Sequence, residues 1–196
     1  CIKLGLALDC TIAERAVYVA LIDKLTALAA VTPPAALPSP TLTVAELAAL
    51  GITGVDASNL ASVLAAIAAS ANNATGVDTI AELQSVTNAA IAAQGAMQAL
   101  SGYTGATGQT APTAANFATA GVTGVTAANL SMVNAYLASL PAGARDSAAE
   151  LQAIVDAVNH IMAQANGVAE GASFVTATDL TALAINTTPA TAGATA

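Results

Sequence analysis

The chain has 196 residues and a formal net charge of −8 at pH 7, and only 8% of its residues are charged. Its four basic residues form no stripe that could neutralise phosphates, so the composition excludes nucleic-acid binding. Hydrophobic residues make up 56% of the chain, but the most apolar window, residues 11–31, carries four charges. We therefore expect no transmembrane segment.

Residues 1–31 predict a loop followed by one helix. Cys1 begins the sequence without an initiator Met or a signal segment, which favours a processed, secreted product or a fragment. Cys1 and Cys10 are the only cysteines. Three states are open for them: a disulfide in an oxidising compartment, a lipid on Cys1 as in bacterial lipoproteins, or two free thiols.

The sequence repeats itself along its length. Residues 79–82 copy residues 11–14 after 68 positions, and the related residues 147–150 follow after another 68. Residues 121–130 repeat most of residues 51–60 after 70 positions. Repetition with such a period indicates stacked copies of one supersecondary unit.

Each copy predicts three helices, and the first of them begins with a capping box. In Thr43-Val-Ala-Glu46 a hydroxyl and a carboxylate would satisfy free backbone N–H groups, and Gly51 would end the helix in a left-handed conformation. The same unit recurs at residues 113–121 and, incompletely, at residues 176–185.

The second helix of each copy follows a Gly-[Ile/Val]-Thr-Gly-Val turn. Asp56 and Thr126 are the N-cap candidates for this helix. Apolar residues at helical spacing predict its buried side: Leu60, Val63, Leu64 and Ile67 in one copy, and Leu130, Val133 and Leu137 in the next.

The third helix begins with the repeated capping box, and its most regular copy spans residues 147–166. Its apolar stripe consists of Leu151, Ile154, Val155, Val158, Ile161 and Met162. In the N-terminal copy, Arg15 and Asp23 interrupt this stripe. That helix is predicted instead from Ala16, Val19, Ala20 and Ile22. We expect it to pack differently from the other copies, or against something else.

These elements predict an all-α protein of tandem three-helix bundle repeats of about 68–70 residues, with an extra N-terminal helix and a truncated C-terminal unit. The predicted segments are an N-terminal loop and helix (1–31), a Pro-rich linker (32–40), a first repeat (41–100), a Gly/Thr linker (101–112), a second repeat (113–166), and a partial repeat with an Ala/Thr-rich tail (167–196). The orphan helices at the two ends either complete one another between neighbouring molecules or fold back on the central bundles of the same chain.

One family resemblance is carried by the second repeat. The string Ala-Gly-Val-Thr-Gly-Val-Thr-Ala-Ala-Asn-Leu-x-x-Val-Asn at 120–134, followed by Ala-Glu-Leu-Gln-Ala-Ile-Val-Asp-Ala-Val-Asn at 149–159, resembles the alanine-rich helical repeats of very large bacterial surface and adhesin-like proteins. The resemblance covers about residues 41–166. It implies a secreted or surface-exposed structural segment.

No catalytic, cofactor or metal site is predicted, and we expect that the protein is not an enzyme. His160 is the only histidine, and the aligned positions hold Ala92 and Lys24, so the repeat does not require it. Capping boxes explain the spacing of the repeated glutamates. The aspartates are isolated, whereas calcium needs converging oxygens, and no Cys/His cluster supports a zinc site.

Two further sets of residues are candidate surface sites. The glycosylation acceptor pattern occurs, by function or by chance, at Asn73, Asn129 and Asn186. Tyr103, in the Gly/Thr linker, either anchors a contact between subunits or packs locally. In the tail, the candidate subunit contacts are Thr187 and Thr188.

The sequence therefore predicts a structural, non-catalytic subunit of an extracellular filament or surface array. No charged residue lies between Glu82 and Arg145, and such a neutral surface permits close packing of subunits into a homo-oligomer or homopolymer. The alternative is a spacer or binding segment of a large bacterial adhesin, monomeric in isolation, whose cell-surface or host ligand the sequence does not identify. Both hypotheses place the protein outside the cell or on its surface.

Overall fold

A computed structural model describes residues 12–29, 41–70, 79–167 and 174–185. These residues form eight α-helices and no β-strand, which confirms the all-α prediction. The helices are α1 (Ile12–Ala29), α2 (Val44–Ala49), α3 (Leu60–Ala69), α4 (Ile80–Ser101), α5 (Ala114–Thr119), α6 (Leu130–Ser139), α7 (Ala148–Ala165) and α8 (Ala177–Ala182). A short 3-10 helix, Ala142–Ala144, precedes α7.

The chain divides into two compact units, each with its own hydrophobic core. Unit 1 is Cys1–Gln94 and unit 2 is Gly95–Ala196, so the division falls within α4. The core of unit 1 is built from buried side chains of α1, α2, α3 and the first part of α4. The core of unit 2 is built from the last part of α4 together with α5, α6, α7 and α8.

In unit 1, α1 packs against α3 with a face that the sequence analysis did not identify. The predicted residues Ala16, Val19, Ala20 and Ile22 are all exposed. The buried side chains of α1 are instead Leu21 and Leu28, with Leu25 partly buried beside them. These three leucines follow the i, i+4, i+7 spacing of one helix face. The prediction of a helix is confirmed, whereas the residues from which it was predicted do not form its inward face.

In unit 2, α7 supplies the central apolar stripe, as predicted. Leu151, Ile154, Val155 and Val158 are buried, whereas Ile161 and Met162 are only partly buried. The side chains around this stripe that have almost no exposed surface include Phe117 of α5, Val122, and Val133 and Leu137 of α6.

The short helices that begin the two copies end in the same way. Gly51 and Gly121 adopt left-handed φ values of 87° and 83°. In each case the next residue folds back onto the helix: Ile52 N–H donates to Leu47 O at 3.0 Å, and Val122 N–H donates to Phe117 O at 2.9 Å. This is the six-to-one hydrogen bond of the Schellman motif, and it fixes the exit of the chain from the helix.

The second helices begin later than predicted, at Leu60 and Leu130. The N-cap prediction for Asp56 is wrong, because Asn59 is the residue that precedes the helix. Asp56 Oδ1 instead accepts from the backbone N–H groups of Ser58 at 2.8 Å and Asn59 at 3.2 Å, within the turn before the helix. The prediction for Thr126 is wrong, because its hydroxyl donates to Asn129 Oδ1 at 3.4 Å rather than capping the helix. Asp56 and Thr126 therefore open a turn that precedes the helix proper.

Candidate functional site

The predicted capping boxes are present, and they engage the carboxylates of the repeated glutamates. Thr43 and Glu46 form a complete box, as do Ser147 and Glu150. At the start of α4, Glu82 Oε2 accepts from Thr79 N–H at 2.9 Å, and Glu82 N–H donates to Thr79 Oγ1 at 3.1 Å. The repeated glutamates thus satisfy free N–H groups at helix ends.

A glutamine clamp closes each copy, and the sequence analysis missed it. Gln84 Oε1 accepts from Thr53 N–H at 2.8 Å, and Gln84 Nε2 donates to Thr53 O at 3.1 Å. In unit 2, Gln152 makes the same pair of bonds to Thr123, at 2.9 and 3.2 Å. Both clamps tie the turn after the first helix to the third helix. Glutamine aligned in both copies was the available signal.

A second clamp holds the turn before each second helix. Asn59 Nδ2 donates to Gly54 O at 3.0 Å, and Asn129 Nδ2 donates to Gly124 O at 2.8 Å. Asn129 Nδ2 also donates to Asn159 Oδ1 at 2.6 Å. Because Asn129 is buried and its side-chain nitrogen is engaged, the folded chain does not present this predicted acceptor to a glycosyltransferase.

An ion pair joins α1 to α2 in unit 1. Lys24 Nζ donates to Glu46 Oε1, the same side chain that completes the capping box. The hydrogen bond from Lys24, together with the backbone hydrogen bond from Thr43, lowers the pKa of the Glu46 carboxyl below its ordinary value. Both side chains are partly exposed, so we expect the pair to contribute little to the free energy of unfolding and mainly to orient α1 relative to α2.

A histidine–carboxylate pair joins α7 to α8 in unit 2. His160 Nδ1 lies 3.0 Å from Asp179 Oδ2, and the same oxygen accepts from Thr176 N–H and Thr176 Oγ1, each at 2.7 Å. Burial raises the pKa of Asp179, but the hydrogen bonds from Thr176 and His160 outweigh it, so the pKa lies below its ordinary value. His160 thus serves as a contact between two helices, with no nucleophilic side chain placed beside it by the described hydrogen bonds.

A buried arginine holds the Gly/Thr segment in unit 2. Arg145 Nη1 donates to the backbone carbonyls of Tyr103 and Leu137. Leu137 lies in the last turn of α6, where carbonyl groups lack intrahelical partners and the helix dipole favours a cation. The Tyr103 ring is partly buried against the core of unit 2. This agrees with local packing, one of the two alternatives that the sequence analysis gave for this residue.

A groove of about 680 Å³ opens beside α6. Small side chains dominate its lining, with Tyr103 and Leu130 as the larger ones. Asn134 also lines it, with Nδ2 donating to Pro112 O at 2.8 Å while the buried Oδ1 has no partner. Because Oδ1 has almost no exposed surface, it cannot accept from a molecule lying in the groove. The polar side chains of its lining other than Asn134 are the hydroxyl-bearing Tyr103, Thr113 and Ser131.

The remaining predicted site residues fall outside the described parts of the chain. They are Cys1, Cys10, Asn73, Asn186, Thr187 and Thr188. Among the described residues, no three metal-ligating side chains cluster closely enough to hold an ion. Within those same ranges, no helix has both the length and the apolar character that crossing a membrane requires.

The polar side chains of the described residues thus form a set of hydrogen-bonded clamps between helices and turns. Comparisons with models of protein families, with curated proteins and with solved structures gave no match to this chain.

Proposed function

We propose that the protein is a structural, non-catalytic building block of an extracellular filament or surface array, made of tandem three-helix repeats. Each repeat is a short first helix, a second helix of about three turns and a long third helix. On this proposal α2, α3 and α4 form one repeat, and α5, α6 and α7 form the next. The third helix of a preceding repeat is α1, and the first helix of a following one is α8.

The observation that carries this proposal is the recurrence of the glutamine clamp. Gln84 and Gln152 stand 68 positions apart, and their partners Thr53 and Thr123 stand 70 positions apart. Corresponding bonds differ in length by about 0.1 Å. Both copies thus close by the same atoms, which supports one unit used twice. A catalytic site, by contrast, would need side chains that occur in only one of the two copies.

The polar side chains support a non-catalytic role. The carboxylates of Glu82 and Glu150 are engaged at helix ends, and His160 is engaged by Asp179. General acid–base catalysis needs such groups to be free to face a substrate. The side chains of Glu82, Glu150 and His160 therefore stabilise helix ends and helix contacts instead of facing a substrate.

The surface supports association between copies. The described stretch from Leu83 to Ala144 contains no charged side chain, so electrostatic repulsion between two such surfaces is weak. Exposed apolar side chains occur on α1 and beside α8, at Val19, Ile22 and Ile185. Apolar side chains of this size gain free energy when a second surface covers them.

A second function, a spacer of a large bacterial adhesin, is favoured by a different observation. Within the chain, α1 already packs on α3, and α8 packs on α7 with Leu183 buried in the core of unit 2. Both helices that flank the proposed repeats are thus held in place without a second molecule. Such an arrangement suits a segment that keeps its form alone, as a spacer must.

Light scattering coupled to size-exclusion chromatography separates the two functions, with negative-stain microscopy of the same fractions. A building block should grow in mass with protein concentration and give fibres or sheets. A spacer should keep the mass of one chain at every concentration, and that result would contradict the proposed function.

A further inference from the structure

Side chains hold the Gly/Thr linker of unit 2 in one conformation, although its composition alone would leave it flexible. Gln109 Oε1 accepts from Thr104 N–H at 2.9 Å, and Gln109 Nε2 donates to Gly102 O at 3.2 Å. The buried side chain of Arg145 donates to Tyr103 O at the start of the linker. These bonds make the linker a preorganised wall beside α6.

The linker approaches α6 at two points, and the groove lies between them. Gly105 has a φ of 69°, and a Cβ at this residue would lie only 3.2 Å from the Cβ of Ala138. At the other end, Asn134 Nδ2 donates to Pro112 O at 2.8 Å. The groove volume of about 680 Å³ falls within the range of about 300–1,000 Å³ that small-molecule sites occupy.

The polar side chains that α6 contributes to the groove do not belong to the repeat. Ser131 and Asn134 stand where α3 has Ala61 and Leu64, 70 positions earlier. Leu64 lies in the core of unit 1. Asn134 is also buried, but among the described residues its Oδ1 has no partner, so this amide lowers stability relative to leucine. A local departure from the repeat that lowers stability is expected at a functional position.

Two hydroxyl groups of the groove are available to a ligand. The hydroxyl of Thr113 is engaged in the capping box of α5. Among the hydrogen bonds of the described residues, none uses the hydroxyl of Tyr103 or of Ser131. Ser131 is exposed, and a Cβ at Gly105 would lie 3.9 Å from Tyr103 Oη, which places this hydroxyl between the linker and α6.

The lining restricts the chemistry of a ligand. None of the residues that line the groove is charged, so a charged ligand would lose hydration without gaining a counter-charge. A wholly apolar ligand would cover the hydroxyls of Tyr103 and Ser131 without returning their hydrogen bonds. The ligand that fits is neutral, with an apolar face for the alanines of α6 and hydroxyl groups at its edge. A pyranose ring has both.

We propose that the groove between the Gly/Thr linker and α6 binds a neutral pyranose sugar. The C–H face of the sugar ring lies on the small apolar side chains of α6, and its hydroxyl groups bond to Tyr103 Oη and Ser131 Oγ. The inference goes beyond the proposed function, because the groove lies within unit 2 and binding requires no assembly.

Titration with simple sugars, followed by the amide chemical shifts of the isotopically labelled protein, tests the proposal. The probes are the methyl pyranosides of glucose, galactose and mannose, together with N-acetylglucosamine. At least one of them should give saturable shifts confined to residues 103–113 and 127–138, with a Kd on the order of 1 mM, because few groups bind it. Sorbitol is the matched control ligand, since it carries hydroxyl groups but no rigid ring face, and it should give no saturable shift.

Three substitutions locate the binding in the groove. Tyr103→Phe and Ser131→Ala each remove one hydroxyl and should weaken binding by about five- to tenfold. Ala135→Leu fills part of the groove and should weaken binding by at least about tenfold. Tyr136→Phe is the matched control, because Tyr136 is a partly buried tyrosine of α6 that does not line the groove, and it should bind like the wild type. Circular dichroism checks that each variant keeps the helix content of the wild type.

The outcomes decide the inference separately from the proposed function. It is overturned if none of the four pyranosides gives saturable shifts, or if sorbitol gives the same shifts as they do. It is also overturned if a pyranoside binds Ala135→Leu and Tyr103→Phe as tightly as the wild type, because the sugar would then lie elsewhere. Self-assembly, measured by light scattering, bears on the building-block function alone.

Discussion

His160 Nδ1 lies 3.0 Å from Asp179 Oδ2 in unit 2, and this pair corresponds to the pair of Lys24 and Glu46 in unit 1. In both junctions a cation-forming side chain of a long helix meets the carboxylate that completes the capping box of the next short helix. The positions of His160 and Lys24 differ by twice 68 residues. The chain thus makes a similar junction between a long helix and the next short helix twice, once with lysine and once with histidine.

Asp179→Asn tests whether the packing of α8 on α7 depends on pH. Because the pKa of Asp179 is lowered in the folded chain, its contribution to stability is complete above the unfolded pKa of about 3.9 and is lost as the pH falls through the folded value. The variant keeps the capping box, as Asn116 does in α5. We expect it to cost about 1 kcal/mol at pH 7.

The difference in unfolding free energy between wild type and Asp179→Asn should therefore shrink towards zero in strong acid. Urea unfolding followed by circular dichroism at a series of pH values measures it. A difference that stays constant down to pH values below the range of carboxyl titration would contradict the assigned role of the carboxylate.

Ala184→Gly should stabilise the end of α8. Ala184 has a φ of 53°, in the left-handed region that Gly51 and Gly121 occupy at the corresponding positions. A residue with a Cβ pays about 1–2 kcal/mol for this conformation, and part of the gain from glycine is offset by its freer unfolded chain. We expect a net gain of about 0.5–1 kcal/mol, measured by hydrogen exchange of residues 177–183.

The reverse substitutions are the matched controls for that prediction. A Cβ at Gly51 or Gly121 would meet no atom within 4 Å, so Gly51→Ala and Gly121→Ala test conformation alone. Each should lower the unfolding free energy by about 1 kcal/mol. Neutral controls would show that the left-handed turn is not the cause of any change at Ala184.

Gln152→Ala should loosen the turn after α5. The substitution removes the two bonds to the backbone of Thr123 and the 2.8 Å bond from Nε2 to Asp156 Oδ1. Since these groups are exposed and can bond to water instead, we expect a loss of about 1–2 kcal/mol. Gln98→Ala is the control, because Gln98 is exposed on the long helix α4 and its side chain makes none of the described hydrogen bonds. Equal effects of both variants would show that the clamp does not matter.

The parts of the fold that could be predicted are those held by interactions between residues close together in the sequence. The capping boxes join residues three positions apart, so Thr43 and Glu46 can be recognised together in the sequence. The left-handed glycines are equally local. The inward face of α1 was not predicted because two sets of apolar residues fit the same helix. Leu21, Leu25 and Leu28 contact the core, whereas Val19 and Ile22 are exposed.

The clamps were missed because they join residues far apart in the chain. Gln84 and Thr53 are separated by 31 positions, and Arg145 and Tyr103 by 42. Nothing local distinguishes such a glutamine or arginine from one that faces solvent. Only the presence of glutamine at both aligned positions, Gln84 and Gln152, indicated that this side chain has a structural role.

Arg145→Met should cost about 2–4 kcal/mol in unfolding free energy. The substitution keeps much of the side-chain length but removes the hydrogen bonds to the carbonyls of Tyr103 and Leu137, which would lose a charged donor in a buried place. Arg145→Lys should recover only part of the loss, since an ammonium group lacks the planar fork of the guanidinium. Denaturant midpoints measure both variants, and a midpoint equal to that of the wild type for Arg145→Met would contradict the role assigned to the side chain.

Asn134→Leu should raise the stability of unit 2, although it removes a hydrogen bond. Asn134 Oδ1 is buried without a partner, and the aligned residue in the other copy is the buried Leu64. Leucine removes the unsatisfied acceptor and adds apolar burial, which together exceed the lost bond to Pro112 O by about 1 kcal/mol. Asn134→Ala is the control, because it removes the amide without filling its volume and should lower the denaturant midpoint. If both variants lowered the midpoint equally, the bond to Pro112 O would be worth more than the unsatisfied acceptor costs.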